Sequence, residues 1–306
     1  MSNGESRTGL IVKAQSGFFD VETRKGLVVA RLRGKLTQGR QESDAAALGD
    51  RVRILDTEDG TAVIDEVLER TRVLSRQAPG RRDVEQIIVA NPDQAVIIFA
   101  CADPDPNFRM LDRFLVVCER EHIPVIICAN KLDLVRPASA REHFGPYTKL
   151  GYDVIYTSAI KQKGIRGLRR RLKGRLSVFA GPSGVGKSSL MNAIQPGLGL
   201  RTQAVQENTR KGKHTTVVPE LIPLEMGGYV ADTPGLKALA LWDIEPEELD
   251  AYFPEMRSRV ADCMFSDCTH MHEPGCAIIE AVERGEIQYE RYESYCRIRI
   301  GEDREP

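Results

Sequence analysis

Residues 181–188 read GPSGVGKS, set between a strand-like run, LSVFA, and a run with helical periodicity, SSLMNAI. A glycine-rich turn ending in Gly-Lys-Ser at a strand-to-helix junction admits few folds. Its glycines let backbone N–H groups turn inward around phosphates at a helix N-terminus, which requires an α/β sheet to hold the strand and helix in place. The turn predicts that Gly181, Pro182, Ser183, Gly184, Val185, Gly186, Lys187, Ser188 and Ser189 surround nucleotide phosphates. Lys187 adds charge at the terminal phosphates, and the Ser188 hydroxyl is placed to ligate Mg²⁺.

The surrounding sequence supplies that sheet. QAVIIFA, IPVIICAN, YDVIYTSA and LSVFAG are apolar runs of strand length alternating with helical segments, including one over Met110–Glu121. Such runs, covered on both faces, predict a doubly wound parallel sheet. At the end of the second run stands NKLD, Asn130–Asp133. A carboxylate at Asp133 can accept from the N1–H and exocyclic amine of guanine, a donor pair adenine lacks, while Asn130 can meet N7 and Lys131 can pack along the base. TSA at 157–159 follows the next strand and offers Ser158 and Ala159 to the same base; DTPG at 232–235 offers Asp232 as a Mg²⁺-side acid and the Gly235 N–H to a γ-phosphate.

Between the phosphate loop and DTPG lies ENTRKGKHTTV, polar and basic, in which Thr215 or Thr216 can close on the nucleotide. Thr216 is the expected Mg²⁺ ligand. Leu236 stands after DTPG where Ras-like chains carry a water-orienting glutamine, so His214 is the nearest polar group for positioning water. Without that glutamine the intrinsic turnover is expected near the unassisted Ras rate, on the order of 10⁻³ per second or below. The order of motifs is itself informative: NKLD, SA, phosphate loop, threonine and DTPG form the usual guanine-nucleotide cycle cut at a different point. A circular permutation leaves the packed sheet intact because domain termini commonly lie close together.

Either side of this core the patterning changes. Short β-type runs at Gly9–Lys13, Gly26–Arg33, Asp50–Leu55 and Thr61–Leu68 predict a small N-terminal barrel, and RQAPGRR at 76–82 reads as a linker. Boundaries are expected at 1–75 for the barrel, 76–84 for the linker, 85–238 for the nucleotide core and 239–306 for a helical C-terminal part. The formal net charge of −1 divides into +3 over residues 1–82, +5 over 83–235 and −9 over 236–306. Phosphate neutralisation by Lys and Arg therefore favours a nucleic-acid face in the first two segments. In the last, Cys263, Cys268, His270 and Cys276 offer three thiolates and an imidazole, a donor set suited to a closed tetrahedral Zn²⁺ site, with His272 as a competing ligand. Scattered cysteines, no export signal and no membrane-length apolar run point to the cytoplasm.

Taken together, LGDRV in the β-rich start, the permuted NKLD–TSA–GPSGVGKSSLMN–GKHTT–DTPG series and the C-x4-C-x-H-x5-C cluster resemble the circularly permuted, small-ribosomal-subunit-dependent GTPases called RsgA or YjeQ. The resemblance implies a multidomain chain: an OB-fold β-barrel, a circularly permuted P-loop α/β GTPase core and a helical zinc-binding C-terminal domain. It implies a monomeric GTP phosphohydrolase with no membrane partner, taking Mg²⁺ with GTP and one structural Zn²⁺. Its partners would be GTP/GDP and the small ribosomal subunit with its rRNA, and it would act in late subunit assembly, with His214 as the catalytic group beside Lys187. Val217 replaces a third threonine often seen after His-Thr-Thr, and the C-terminal segment is acidic. Phosphate contacts are therefore expected from Arg31, Arg33, Lys35 and Arg40 and from the run Lys161–Arg175. Two other readings use the same motifs: a nucleotide-gated rRNA-binding module in which hydrolysis is incidental, and a GTPase of the large subunit.

Overall fold

The structure, a computed structural model, describes residues 6–37, 45–57, 60–77, 85–198, 219–231 and 244–302. Strands β1 (Ser6–Gln15), β2 (Phe18–Thr23), β3 (Gly26–Leu32), β4 (Arg51–Asp56) and β5 (Ala62–Val67) close a barrel in the order β1-β2-β3-β5-β4. Alternation builds it: Val52 and Ile54 of β4 are buried while Arg51 and Arg53 face out. β2 continues the alternation in a short stretch outside the expected runs, with Phe19 and Val21 buried and Asp20 and Glu22 following them in turn on the outward side.

LGDRV closes the barrel onto the next domain. Asp50 is buried, accepts from the Ala47 N–H at 2.8 Å and takes a two-pronged ion pair from Arg70 at 2.7 Å. Gly49 has φ +81°, and a Cβ there would lie 2.1 Å from the Ala90 carbonyl oxygen, so only glycine allows this approach. Strands β6 (Val73–Gln77) and β7 (Glu85–Ala90) pair antiparallel, so the stretch expected as a linker begins inside a strand, and Glu85–Ala90 stays outside the parallel sheet.

That sheet has the order β10-β9-β8-β11-β13-β12, from β8 (Gln94–Ala100), β9 (Val125–Asn130), β10 (Asp153–Tyr156), β11 (Leu176–Ala180), β12 (Leu221–Pro223) and β13 (Tyr229–Ala231). Every neighbouring pair is parallel except the edge strand β12 against β13. Central strand β8 shows why its sequence reads as one apolar run: Ala95, Ile97 and Phe99 enter one core, and Val96, Ile98 and Ala100 the other. Helices α1 (Phe108–Arg120) and α2 (Pro137–Lys149) cover the first face, α3 (Ile165–Leu172) and α4 (Lys187–Ile194) the second. The first core is continuous with the barrel interior, through Leu48, Leu74 and Val89.

The C-terminal segment carries short helices, chiefly α5 (Ala277–Glu283) and α6 (Tyr289–Arg299), around Leu249, Phe253, Met256, Ile278 and Tyr295, and Val116 of α1 belongs to the same core. Buried Arg291 locks this packing. It pairs with Asp112 of α1 at 2.6 Å and Glu255 at 2.7 Å, and its guanidinium lies 4.5 Å from the Phe253 ring centroid.

Candidate functional site

The phosphate loop leaves β11 and enters α4 with Gly181, Gly184 and Gly186 at φ of 142°, 82° and 92°. At two of these a side chain is excluded: a Cβ on Gly181 would lie 2.1 Å from Ile98 O, and one on Gly186 2.6 Å from Asn130 Nδ2. Lys187 is curled back over the loop, its Nζ donating to Gly181 O and Pro182 O at 2.7 Å each. An ammonium held at the loop's own rim can follow phosphate oxygens with little rearrangement. Ser188 and Ser189 occupy the first turn of α4, partly exposed, and Pro182 and Ser183 form the outer rim while Val185 is buried beneath.

Asn130 joins the loops. It ends β9, is 1% exposed, donates from Nδ2 to Val185 O at 2.8 Å and accepts at Oδ1 from the Thr157 hydroxyl at 3.0 Å. The side chain expected to meet the base is thus the brace that fixes NKLD, the phosphate loop and TSA relative to one another. Lys131 adopts the left-handed conformation, φ 58°, carrying the chain from the strand end into the turn that exposes Asp133. Ser158, itself buried, donates its hydroxyl to the Asp133 carboxylate and accepts from the Lys161 N–H at 3.1 Å. Asp133 is thereby aimed with one oxygen already satisfied. Ala159 follows, partly exposed, in a turn closed by paired backbone bonds between Ser158 and Lys163 at 3.0 Å.

One contributor escapes motif reading. The segment CADPDPN at 101–107 follows β8, whose neighbour is the phosphate-loop strand. There Asp103 accepts from Lys131 Nζ through its backbone carbonyl, with its carboxylate 3.7 Å from the same nitrogen, and Pro104 lies beneath Gly184. Its signal was a polar, proline-rich turn at the carboxyl end of a sheet strand, where ligands of open α/β folds bind. Arg40, His214, Thr215, Thr216, Asp232 and Gly235, with Leu236 and Val217, lie outside the described residues.

The second cluster is in the C-terminal segment. Donor atoms of Cys263, Cys268, His270 and Cys276 all lie within 4.8 Å of one another. His270 Nδ1 is 3.5 Å from Cys263 Sγ and 3.4 Å from Cys276 Sγ, and the two sulfurs are 4.0 Å apart. A tetrahedron with arms of about 2.3 Å has edges of about 3.8 Å, so the donors fit a zinc ion. His270 Nε2 meets Asp250 Oδ2 at 3.1 Å, the carboxylate–histidine pairing that fixes the ring with Nδ1 toward the sulfurs. His272, the competing candidate, is exposed and outside the cluster. Burial pushes the Cys268 thiol up to about 12 and raises Cys276 also. Glu273 clasps the intervening turn, accepting from the N–H groups of Thr269, Met271 and His272 at 2.8–3.1 Å.

Of the residues expected to touch rRNA, Arg31 lies over the Phe18 ring at 4.3 Å. Arg33 and Lys35 both pair with Asp65, Lys35 at 3.0 Å. Within the basic run, Arg171 is paired with Asp153 and Arg175 donates to Gln94. Lys161, Lys163, Arg166, Arg169, Arg170 and Lys173 are exposed and in no ion pair among the described residues. No helix of the described residues is long and apolar enough to cross a membrane.

Comparison with known proteins agrees with this geometry along the chain. Residues 67–242 match the RsgA GTPase family and residues 8–64 the RsgA N-terminal domain. The small ribosomal subunit biogenesis GTPase RsgA of Gemmatimonas aurantiaca is 46% identical over 297 residues, 96% of this chain and 97% of that protein. Its namesake from Bacteroides fragilis is 37% identical over 94% of each chain. Among solved structures, YjeQ from Thermotoga maritima superposes with a TM-score of 0.80 at 37% identity, covering 97% of this chain and 98% of that one. YloQ, described as a circularly permuted GTPase, superposes at 0.77 and 35% identity, covering 99% and 97%. With the barrel, the permuted sheet, the braced nucleotide loops and the Cys/His cluster in one chain, this protein belongs to the RsgA family of circularly permuted GTPases.

Proposed function

We propose that the chain hydrolyses GTP to GDP and phosphate, stimulated by the small ribosomal subunit, and acts in that subunit's late assembly. The observation that carries the reading is the Asn130 brace, which holds a guanine-selecting carboxylate and a phosphate loop in one frame. Asp133 accepts from the guanine edge, with Ser158 and Ala159 closing the base side and Lys131 alongside. Loop amides and Lys187 hold the β- and γ-phosphates and offset charge developing in the transition state. Mg²⁺, when bound with GTP, neutralises β- and γ-oxygens; Ser188, Thr216 and Asp232 are the side chains assigned to it. His214 positions the attacking water, with Thr215 and Gly235 beside the phosphates.

Zn²⁺ is assigned to Cys263, Cys268, His270 and Cys276, with a structural role because all four positions are filled by protein. The exposed cations of residues 161–173 are assigned to rRNA phosphates, which they meet without first breaking an ion pair. The division into 1–75, 76–84, 85–238 and 239–306, a monomeric state and a cytoplasmic site of action complete the proposal.

GTP turnover by the purified chain, alone and with small or large ribosomal subunits, against an ATP control, tests it. A slow basal rate raised by small subunits is expected. Stimulation by large subunits alone would reassign the target, and preference for ATP would overturn the role of Asp133. The salt dependence of rRNA binding checks the basic run: each phosphate-contacting cation removed lowers the slope by about one.

A further inference from the structure

The acidic C-terminal segment poses a physical problem for a protein whose partner is largely RNA. Its described residues, 244–302, contain 14 Asp and Glu against six arginines and no lysine. The arginines are all engaged. Arg257, Arg259, Arg284, Arg291 and Arg297 face carboxylates at 2.6–2.9 Å, and Arg299 donates to Pro246 O and the Tyr295 hydroxyl. An exposed arginine can swing from its carboxylate to a phosphate at small cost, but each swing leaves an unpaired carboxylate facing the polyanion.

The same segment presents an apolar pair. Met264 and Phe265, between ligands Cys263 and Cys268, are 69% and 42% exposed. Their loop is anchored by the Met264 N–H to Gly275 O at 3.1 Å and the Cys268 N–H to Phe265 O at 3.3 Å. Asp262 and Asp267 bracket the pair in sequence, both exposed and in no ion pair of the described residues. A rigid Met-Phe tip between two carboxylates is pre-organised for an apolar pocket rimmed by lysine and arginine.

We infer that the loop Asp262–Asp267 docks on a basic protein surface of the small subunit, not on its rRNA. This rests on the ribosomal reading above, and the test separates the two. In the full chain, Phe265→benzoylphenylalanine is bound to purified small subunits with a non-hydrolysable GTP analogue and irradiated. In parallel, Asp262→Lys/Asp267→Lys and Phe265→Ser are compared with wild type for cosedimentation, after their zinc content and basal GTP turnover are shown unchanged. The crosslink is expected in a ribosomal protein, and both variants are expected to bind about tenfold more weakly, as for loss of a moderate interface anchor. A crosslink in rRNA, no crosslink from a bound chain, or tighter binding by the double-lysine variant overturns the docking inference alone. Failure of the wild-type chain to cosediment overturns the ribosomal reading and the docking inference with it.

Discussion

The nucleotide loops and the Cys/His cluster are both ligand sites in one chain, yet they are built by opposite means. The first is a phosphate-cradling main chain with the side chains of Asn130, Asp133, Ser158 and Lys187 about it, at the carboxyl ends of β8, β9, β10 and β11, and its frame comes from a sheet with an apolar core on each face. The second is four side chains in a stretch with no strand, beside two short helices and a small core. A frame that a sheet supplies exists before its ligand arrives, whereas a small core needs a metal to complete it. Metal removal is the largest test. Cys268→Ser, or a strong chelator, is expected to release one zinc per chain and expose residues 244–302 to proteolysis. Structural zinc contributes an apparent 10 kcal/mol or more in small domains. GDP affinity should change less than about threefold, since none of the described nucleotide loops draws on that core. A parallel collapse of GDP binding would show that the two sites share one folding unit.

Arg291 is where the regions meet, and its removal probes that boundary next. Burial pushes the Asp112 carboxyl upward and the Arg291 charge opposes it. Arg291→Met would leave Asp112 and Glu255 buried without a cation, which costs about 3–5 kcal/mol when one partner of a buried pair is lost. The expected result is an early unfolding step of the C-terminal segment in thermal melts, with the GTPase core melting later. A single transition at a lower temperature would mean that α1 carries both.

How these elements showed in the sequence follows the same division. GPSGVGKS is legible because a main-chain phosphate cradle needs particular residues at fixed spacing, NKLD and TSA because a base-reading carboxylate and its neighbours do, and β8 because a strand buried on both faces cannot admit a charge. The brace at Asn130 was not, since its bonds to Val185 and Thr157 span 55 and 27 residues and the motif announces only a base contact. Asp103 and Pro104 carry no motif; only the strand order brings them beside Gly184. The cluster's ligands were legible from spacing, and geometry chose His270 over His272 by burying one and exposing the other. Asp250 could not be found that way, because it lies 20 residues from the ring it orients. Charge alone did not show in the barrel that Arg33 and Lys35, read as phosphate ligands, share Asp65 as an ion-pair partner.

Each site thus has one side chain that touches no ligand in its bracing role and holds those that do, and replacing it ranks the two designs. Asn130→Ala deprives the buried Val185 carbonyl of its side-chain donor and leaves the Thr157 hydroxyl only the Cys128 sulfur at 3.2 Å, a loss of about 1–3 kcal/mol for a buried group left unsatisfied. Melting temperature and GDP affinity should fall together, because the bond that stabilises the fold also sets the pocket. Falling affinity at constant stability would instead assign Asn130 to the base alone.

Asp250→Asn is the matching change at the cluster and the smallest of the four. The amide can still accept from His270 Nε2 but without charge, so the ring stays oriented while its basicity drops. Loss of such an outer partner typically weakens metal affinity about 10–100-fold. Competition with a chromophoric chelator should show that loss, and nucleotide affinity should stay at the wild-type value because Asp250 bonds His270 in the C-terminal segment and none of the described nucleotide loops. Unchanged metal affinity would mean that three thiolates dominate the site and His270 is held by the Tyr292 hydroxyl on its backbone carbonyl at 2.8 Å, making the cluster's frame main-chain after all and closing the contrast with the nucleotide loops.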